Sequence, residues 1–234
     1  MVLDKWTEAL HNHKQIDAIY MDFMKAFDKV PHGRLVHKLQ SYGISVKMCS
    51  WINNFLSNRK QRVNVNGNFS KWHSVVSGIP QGSVLGPILF VCFINDLPEC
   101  VESPAYLFAD DTKLFREILT SSDQKTLQHD LNHLFDWSCS WLLRFHPDKC
   151  KVLKIHNKRS KTKETTYNMH TYEGSITELD IVEEEKDIGV IIDSNLIFEK
   201  HISTQVNKAN QMVGLIRRSF KLGVTAHFVY YSNH

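Results

Sequence analysis

Aspartates end two short apolar segments that lie far apart in the chain. The first segment is residues 19–22 (IYMD), and the second is residues 108–111 (FADD). An aspartate that closes a buried strand is held by rigid backbone, so its carboxylate can be aimed at a ligand. Three convergent carboxylates, Asp22, Asp110 and Asp111, would form an oxygen-rich magnesium site able to support phosphoryl transfer. The alternative is that they are turn and cap residues, as most aspartates are.

A segment rich in glycine lies between the two acid-ended segments and leads into an apolar stretch. It comprises residues 77–83 (SGIPQGS). Gly78 and Gly82 permit backbone geometries that other residues avoid, and they would let a polymer approach closely. Pro80 stiffens the turn, and the amide of Gln81 could contact a base or a backbone group. The segment therefore favours a binding role, although in isolation it would be interpreted as an ordinary loop before a helix.

These residues need rigid elements to position them, and the hydrophobic pattern alternates strands with helices. The predicted strands are 18–22, 63–65, 72–76, 106–109, 113–116, 151–155 and 188–192, and the predicted helices are 31–39, 46–56, 84–97, 127–142 and 201–220. Asn66-Gly67 predicts a hairpin turn. This order predicts an α+β fold, with a largely antiparallel sheet flanked by helices.

Composition limits the possible classes of protein. A chain of 234 residues with 42% hydrophobic content can bury a sizeable core, and a net charge of +3 permits nucleic-acid binding without requiring it. Five cysteines without a Cys-x-x-Cys pair predict a reduced intracellular protein. The longest apolar stretch, 88–97, is too short to cross a bilayer, so we predict a soluble protein without a membrane partner. His146, Cys150 and His156 lack the close pairs of a zinc site.

The sequence around the aspartates resembles motifs A, B and C of reverse transcriptases, in the order in which that family carries them. Motif A corresponds to residues 20–32 (YMDFMKAFDKVPH), motif B to residues 77–87 (SGIPQGSVLGP) and motif C to residues 108–111. More narrowly, the chain resembles the reverse transcriptases of non-LTR (LINE-type) retrotransposons, close to the jockey-like branch. The resemblance covers about residues 15–220.

The resemblance implies a polymerase-type palm with a partial helical thumb, and it implies RNA-directed DNA polymerase activity. In such a site Asp22, Asp110 and Asp111 would bind two Mg²⁺ ions, for which Mn²⁺ could substitute, and the carbonyl of Phe23 would be a further ligand. Lys149 matches the lysine that helps to protonate the departing pyrophosphate. The implied catalytic residues are therefore Lys149 and the three aspartates.

Further matches imply contacts with the nucleotide. Phe27 corresponds to the aromatic residue that excludes a ribose 2′-hydroxyl and so selects deoxynucleotides, although a simple core role is the alternative. Gln81 and Gly82 would border the incoming nucleotide and the template. These three residues form the predicted nucleotide-binding set.

Basic residues and a primer-grip-like segment (KDIGV) imply contacts with nucleic acid. Arg59, Lys60, Arg62 and Gly189 are the predicted contacts, and the implied partners are an RNA template, a DNA primer and deoxynucleoside triphosphates. The charge run at 158–163 would be either a second phosphate contact or a solvated loop. No nuclear signal is evident, so the expected location is the nucleus or the cytoplasm.

Residues 1–193 are the predicted palm, and residues 194–234 the predicted partial thumb. In the family a fingers region precedes motif A and an endonuclease lies further upstream, and we find no counterpart of either before Asp22. We therefore expect a truncated fragment of a longer product, whose fingers and endonuclease regions would be its partners. The alternatives are an inactive retroelement remnant that acts as a nucleic-acid-binding or interaction module, and a two-metal hydrolase of unrelated architecture.

Overall fold

The computed structural model describes residues 2–157 and 162–219. Its helices are α1 (Val2–His11), α2 (Ala26–Lys29), α3 (His32–Ser41), α4 (Val46–Leu56), α5 (Leu85–Ile94), α6 (Ser121–Trp141) and α7 (Glu199–Ser219). Its strands are β1 (Ile16–Met21), β2 (Lys60–Gln61), β3 (Asn64–Val65), β4 (Asn68–Phe69), β5 (His73–Ser74), β6 (Ala105–Phe108), β7 (Asp111–Glu117), β8 (Lys151–Ile155), β9 (Asn168–His170), β10 (Ile176–Glu178), β11 (Asp180–Val182), β12 (Glu184–Asp187) and β13 (Val190–Asp193). None of these helices is long and apolar enough to cross a membrane.

Five strands form the central sheet in the order β11-β8-β1-β7-β6. Every neighbouring pair is antiparallel except β11 and β8, which run parallel. This topology confirms the predicted α+β class and the largely antiparallel sheet. Strand β1 lies at the centre and is buried along almost its whole length. Its one charged residue, Asp17, is buried and accepts hydrogen bonds from Gln15 and Tyr167.

The two faces of the sheet pack against different helices. Along β1, Ile19 and Met21 join the large core formed with α3 to α6, whereas Ile16 and Ala18 on the opposite face join a smaller core formed with α1. The period-2 alternation of a strand produces this division. Helix α1, which the sequence reasoning did not predict, covers the second face.

The register of β1 and β7 determines where the two acid-ended segments meet. Met21 lies opposite Thr112, so the register brings Asp22, the next residue, to the same sheet edge as Asp111. Strands β6 and β7 form the predicted hairpin, in which Phe108 pairs with Asp111. The acids therefore lie at the same end of neighbouring strands in one sheet.

The predicted hairpin around Asn66-Gly67 is correct in its turn and wrong in its second strand. Asn64–Val65 pairs directly with Asn68–Phe69, while Lys60–Gln61 pairs with His73–Ser74 further out. A two-residue turn forces its immediate neighbours to pair. The second predicted strand therefore pairs with an earlier segment than expected.

Two further boundaries differ from the sequence prediction. Helix α5 ends at Ile94, three residues before its predicted end, and a 3₁₀ helix follows at Leu97–Cys100, because Pro98 cannot continue an α-helix. Ile188 and Gly189 form the turn between β12 and β13, with φ of 46° and 85°, instead of starting a strand. Gly189 consequently lies at a hairpin tip.

Several predictions fall partly outside the described residues. Of the charge run at 158–163, only its last two residues are described, and the ammonium of Lys163 donates to the carbonyl of Ile118 (3.1 Å). Helix α7 begins at Glu199, and its predicted end lies beyond the described residues. The boundary between palm and thumb at residue 193 stays a prediction.

Candidate active site

The three predicted acidic ligands lie at one edge of the central sheet. Asp22 follows β1, Asp110 lies in the turn between β6 and β7, and Asp111 begins β7. Asp22 and Asp111 line the same small cavity of about 80 Å³. The structure therefore brings together residues that are almost ninety positions apart in the sequence.

The carboxylates at this edge repel one another. Partial desolvation, followed by the negative charges of Asp110, Asp22 and Asp187, raises the pKa of Asp111 above its ordinary value. The side chain of Asp111 is exposed, so solvent screens part of this repulsion. A divalent cation would relieve the rest, and carboxylate oxygens are the ligands that Mg²⁺ prefers. This donor set fits a hard divalent ion.

The carboxylate oxygens of the three aspartates do not all lie close to one another. Among the residues that the structure describes, only one group of three potential ligands has all its ligand atoms within 4.8 Å of one another, and that group lies on α6. Asp22 instead has a cationic neighbour of its own. The arrangement is an open carboxylate edge at which an ion would have to draw the ligands together.

That cationic neighbour is Lys149, whose Nζ donates a hydrogen bond to Asp22 Oδ2 (2.9 Å). A 3₁₀ helix, Pro147–Lys149, positions the lysine by interrupting the pairing beside β1. Phe23 bridges Phe145 before the interruption, and β8 resumes the pairing after it. The hydrogen bond and charge of Asp22 raise the pKa of Lys149. The predicted acid–base lysine therefore meets the predicted metal ligands.

The backbone around Phe23 leaves its carbonyl out of the bridge to the neighbouring segment. The two hydrogen bonds of the bridge run from Met24 to the carbonyl of Arg144 (2.7 Å) and from His146 to the carbonyl of Asp22 (2.8 Å). The Phe23 ring is buried and stacks on Phe145, with 4.4 Å between centroids. A fixed ring and an uninvolved carbonyl suit the predicted ligand role.

The glycine-containing loop 77–83 packs against motif A residues 27–30. Gly78 donates its backbone N–H to this segment (2.8 Å) and has a φ of 87°, and a Cβ at this position would lie 2.6 Å from the carbonyl oxygen of Asp28. Only glycine satisfies both conditions. Gly82 also has a positive φ, but a Cβ there would meet no heavy atom within 4 Å. The close approach at Gly78 is thus to the protein's own backbone.

Phe27 and Gln81 flank this contact. Phe27 is half-buried and stacks on Phe90, with 4.6 Å between ring centroids. Gln81 is exposed, and its amide lies 3.5 Å from a carboxylate oxygen of Asp28, a weak contact that a ligand could replace. Both side chains therefore have part of their surface open to a ligand.

A larger cavity of about 810 Å³ lies between motif A and the strands β2 and β5. Asp22, Asp110 and Asp111 are not among the residues that line it. Its walls carry four cationic side chains, Lys25, Lys29, Arg59 and Lys60, against one carboxylate, Asp28. A groove with this excess of positive charge suits a phosphate backbone. Lys60 lines this groove, and its contact with nucleic acid stays a prediction.

Two of the other predicted basic contacts are used within the protein. The guanidinium of Arg59 donates to the carbonyl of Gly78, and so ties the end of α4 to the glycine loop. The guanidinium of Arg62 lies over the rings of Phe69 and Trp72, at 3.8 and 4.5 Å from their centroids. Their contacts with nucleic acid stay predictions.

A buried ion pair, missed by the sequence reasoning, joins the β12–β13 hairpin to the acidic edge. Lys113 of β7 pairs with Asp187 of β12, and their side chains are only 8% and 10% exposed. Both line the small cavity with Asp22 and Asp111. Gly189 lies two residues beyond Asp187, so this pair holds the predicted primer-grip turn next to the acids. In the sequence, a lysine within a predicted strand was the one indication of a buried ion pair at this position.

The comparisons with known proteins assign the chain to a family. A family model described as reverse transcriptase (RNA-dependent DNA polymerase) matches residues 3–174. The match covers well over half of the chain. The chain belongs to the reverse transcriptase family, which is inconsistent with a hydrolase of unrelated architecture.

Individual relatives narrow the class further. The chain is similar to the RNA-directed DNA polymerase from mobile element jockey of Drosophila funebris, with 29% identity over 88% of this chain and 23% of that protein. It is similar to the jockey polymerase of Drosophila melanogaster, with 27% identity over 84% of this chain and 22% of that protein. These matches confirm the resemblance to jockey-like non-LTR elements. The chain spans about a quarter of the length of these curated relatives.

Two further similarities are to a polymerase of another mobile element and to a solved structure. The probable RNA-directed DNA polymerase from transposon BS of Drosophila melanogaster is 28% identical over 90% of this chain and 24% of that protein. A solved structure of telomerase from Candida albicans aligns with 92% of this chain and 38% of its own, at 13% identity and a TM-score of 0.47. The second similarity is too low to bear on the fold.

Proposed function

We propose that this chain is the palm of a mobile-element reverse transcriptase and that it transfers deoxynucleotides to the 3′-hydroxyl of a primer on an RNA template. One observation carries the proposal: the register of β1 and β7 places Asp22 and Asp111 at one sheet edge, where Lys149 contacts Asp22. Family membership supports the reaction class. The fingers and endonuclease regions of a longer product would be its protein partners.

Asp22, Asp110 and Asp111, together with the carbonyl of Phe23, would hold two Mg²⁺ ions, or Mn²⁺ in their place. The raised pKa of Asp111 supports this assignment, because partial desolvation and then the neighbouring negative charges disfavour its ionised form, which a cation would stabilise. When bound, such ions lower the pKa of the primer hydroxyl and stabilise charge on the phosphates.

The chain's own residues would supply the remaining chemistry. As the bond from the primer oxygen to the α-phosphorus forms and the bond to pyrophosphate breaks, Lys149 would give its proton to the departing pyrophosphate. In the metal-free site the hydrogen bond and charge of Asp22 raise the pKa of this lysine, so it would be protonated when the substrate arrives. Phe27 would pack against the sugar and exclude a 2′-hydroxyl, while Gln81 and Gly82 would border the base.

The basic groove would bind the template strand. Its cations, including Arg59 and Lys60, face a cavity large enough for a nucleic-acid backbone. On the other side of the acidic edge, the hairpin tip at Gly189 would contact the primer. Arg62, which lies over two aromatic rings of the β-hairpin, would add a further phosphate contact.

Primer extension tests the proposal against the inactive-remnant alternative. We expect the chain to extend a DNA primer on an RNA template in Mg²⁺, and Asp110→Asn to be at least about a hundredfold slower. Extension no faster than that of Asp110→Asn would contradict catalysis by this chain. Salt-dependent binding of the same primer–template without extension would favour the nucleic-acid-binding alternative.

A further inference from the structure

A second cluster of metal-binding side chains lies on α6, outside the candidate active site. His129, Asp130 and His133 each present a ligand atom, and these atoms lie within 4.8 Å of one another. The two histidines are four residues apart and share one helix face, with 4.1 Å between ring centroids. In the whole sequence they are the only two histidines with this spacing.

The backbone fixes the tautomer of His133. Its Nδ1 lies 3.1 Å from the carbonyl oxygen of Cys100. A carbonyl can only accept a hydrogen bond, so Nδ1 carries the hydrogen and the neutral ring presents the lone pair of Nε2. Histidines that bind metals are commonly oriented in this way, with the second ring nitrogen donating to a backbone carbonyl.

Asp130 is a buried carboxylate that is also oriented by the backbone. Its side chain is fully buried, and its two oxygens accept hydrogen bonds from the N–H groups of Glu102 and Ser103, each at 2.9 Å. Each carboxylate oxygen has more than one lone pair, so both keep the capacity to bind a cation.

We propose that His129, Asp130 and His133 bind a zinc ion, with the fourth position open to water. Two imidazole nitrogens and one carboxylate oxygen form a three-ligand set that zinc accepts, whereas Mg²⁺ prefers oxygen ligands alone. Tetrahedral zinc would require the ligand atoms to lie about 3.3 Å apart. His129 is exposed, so its ring can rotate toward Asp130 and His133 to close this distance.

The position of the cluster indicates what the ion would do. Cys100, Glu102 and Ser103 belong to the segment that leads directly into β6, the first strand of the acid-bearing hairpin. The backbone of that segment already forms hydrogen bonds with Asp130 and His133. Zinc on α6 would therefore hold the helix against the segment that leads into β6, at a site separate from the candidate active site.

Zinc titration of the whole chain against a competing fluorescent chelator tests this inference without relying on polymerase activity. We expect one zinc per chain, and a loss of affinity of at least about tenfold in His129→Gln and in His133→Gln. The matched control is the double variant His11→Gln/His37→Gln, which removes two exposed histidines from α1 and α3. It should bind zinc as the unmodified chain does.

A second measurement, the change in Tm on addition of zinc, distinguishes binding at the folded site from non-specific binding. Zinc should raise the Tm of the unmodified chain and of the control, because a ligand of the folded state stabilises it by linkage. It should not raise the Tm of His129→Gln or His133→Gln. Absence of zinc binding, or an equal loss of affinity in the control and the site variants, would overturn the proposal.

Discussion

Lys149 Nζ lies 2.9 Å from Asp22 Oδ2, so a protonated amine contacts one carboxylate of the candidate metal site. The contact joins residues 127 positions apart, and it forms because a 3₁₀ helix interrupts the strand beside β1. An ammonium and a metal ion both satisfy a carboxylate electrostatically. The two cations therefore compete for Asp22 in the absence of substrate.

This competition predicts opposite effects of Lys149→Met on binding and on catalysis. Removal of the ammonium should strengthen Mg²⁺ binding about two- to fivefold, as expected for an exposed ion pair, and should slow primer extension at least about tenfold through loss of the proton donor. Calorimetric Mg²⁺ titration and single-turnover extension measure the two effects. Lys125→Met, an exposed lysine of α6, is the control, and unchanged Mg²⁺ affinity in Lys149→Met would contradict the competition.

The pKa of Asp111 predicts a pH-dependent stability effect. Because this pKa is raised in the folded state, ionisation of Asp111 opposes folding, and the penalty appears as pH rises from the ordinary aspartate pKa through the raised one. Asp111→Asn should therefore raise Tm at neutral pH without metal, by on the order of 1–2 °C. The gain should vanish below about pH 4, where aspartate is protonated in both states.

Thermal unfolding between about pH 3 and pH 7 measures this effect. Asp136→Asn makes the same chemical change at an exposed position of α6 and should leave Tm almost unchanged. A lower Tm for Asp111→Asn at neutral pH would show that this carboxylate stabilises the fold.

Substitution of two glycines in the motif B loop distinguishes the cost of backbone strain from the cost of close packing. Gly82→Ala places a side chain at a φ of 80° in open space and should cost about 1–2 kcal/mol. Gly78→Ala carries a similar strain and also places Cβ 2.6 Å from the carbonyl oxygen of Asp28, so it should cost at least about 2 kcal/mol more. Urea unfolding measures both free energies, and equal costs would mean that the loop does not pack on motif A.

The buried Lys113–Asp187 pair predicts strong coupling between β7 and the β12–β13 hairpin. Lys113→Met leaves Asp187 unpaired next to Asp111, and we expect a loss of about 3–5 kcal/mol of stability. Asp187→Leu combined with Lys113→Met should recover much of this loss, because no buried charge then remains. A double-mutant cycle measures the coupling, and strictly additive costs would contradict it.

Local patterns predicted the parts of the site that depend on periodicity and turn chemistry. The apolar run that ends in Asp22 indicated a buried strand, and β1 is buried. The run before Asp110 also forms a strand, but β6 is only partly buried and Phe108 is exposed. The glycines of motif B indicated strained backbone. Alternation along β1 does not reveal what covers each face, so helix α1 was missed. The register of the 64–69 hairpin depended on turn geometry that composition alone did not settle.

Interactions between distant segments could not be predicted in this way. Lys113 and Asp187 are 74 positions apart, and nothing in either neighbourhood identifies the other as its partner. The helical spacing of His129 and His133 was visible in the sequence. However, the carbonyl of Cys100, which orients His133, becomes adjacent only when α6 packs beside the segment before β6.

The most direct test of the carboxylate site is the rate of single-nucleotide addition to a primer–RNA duplex as a function of Mg²⁺ concentration. The unmodified chain and Asp136→Asn should show the same saturable rate, and Asp110→Asn should show none above background at any Mg²⁺ concentration. Equal rates for Asp110→Asn and Asp136→Asn would contradict the assignment of Asp22, Asp110 and Asp111 as the catalytic metal site.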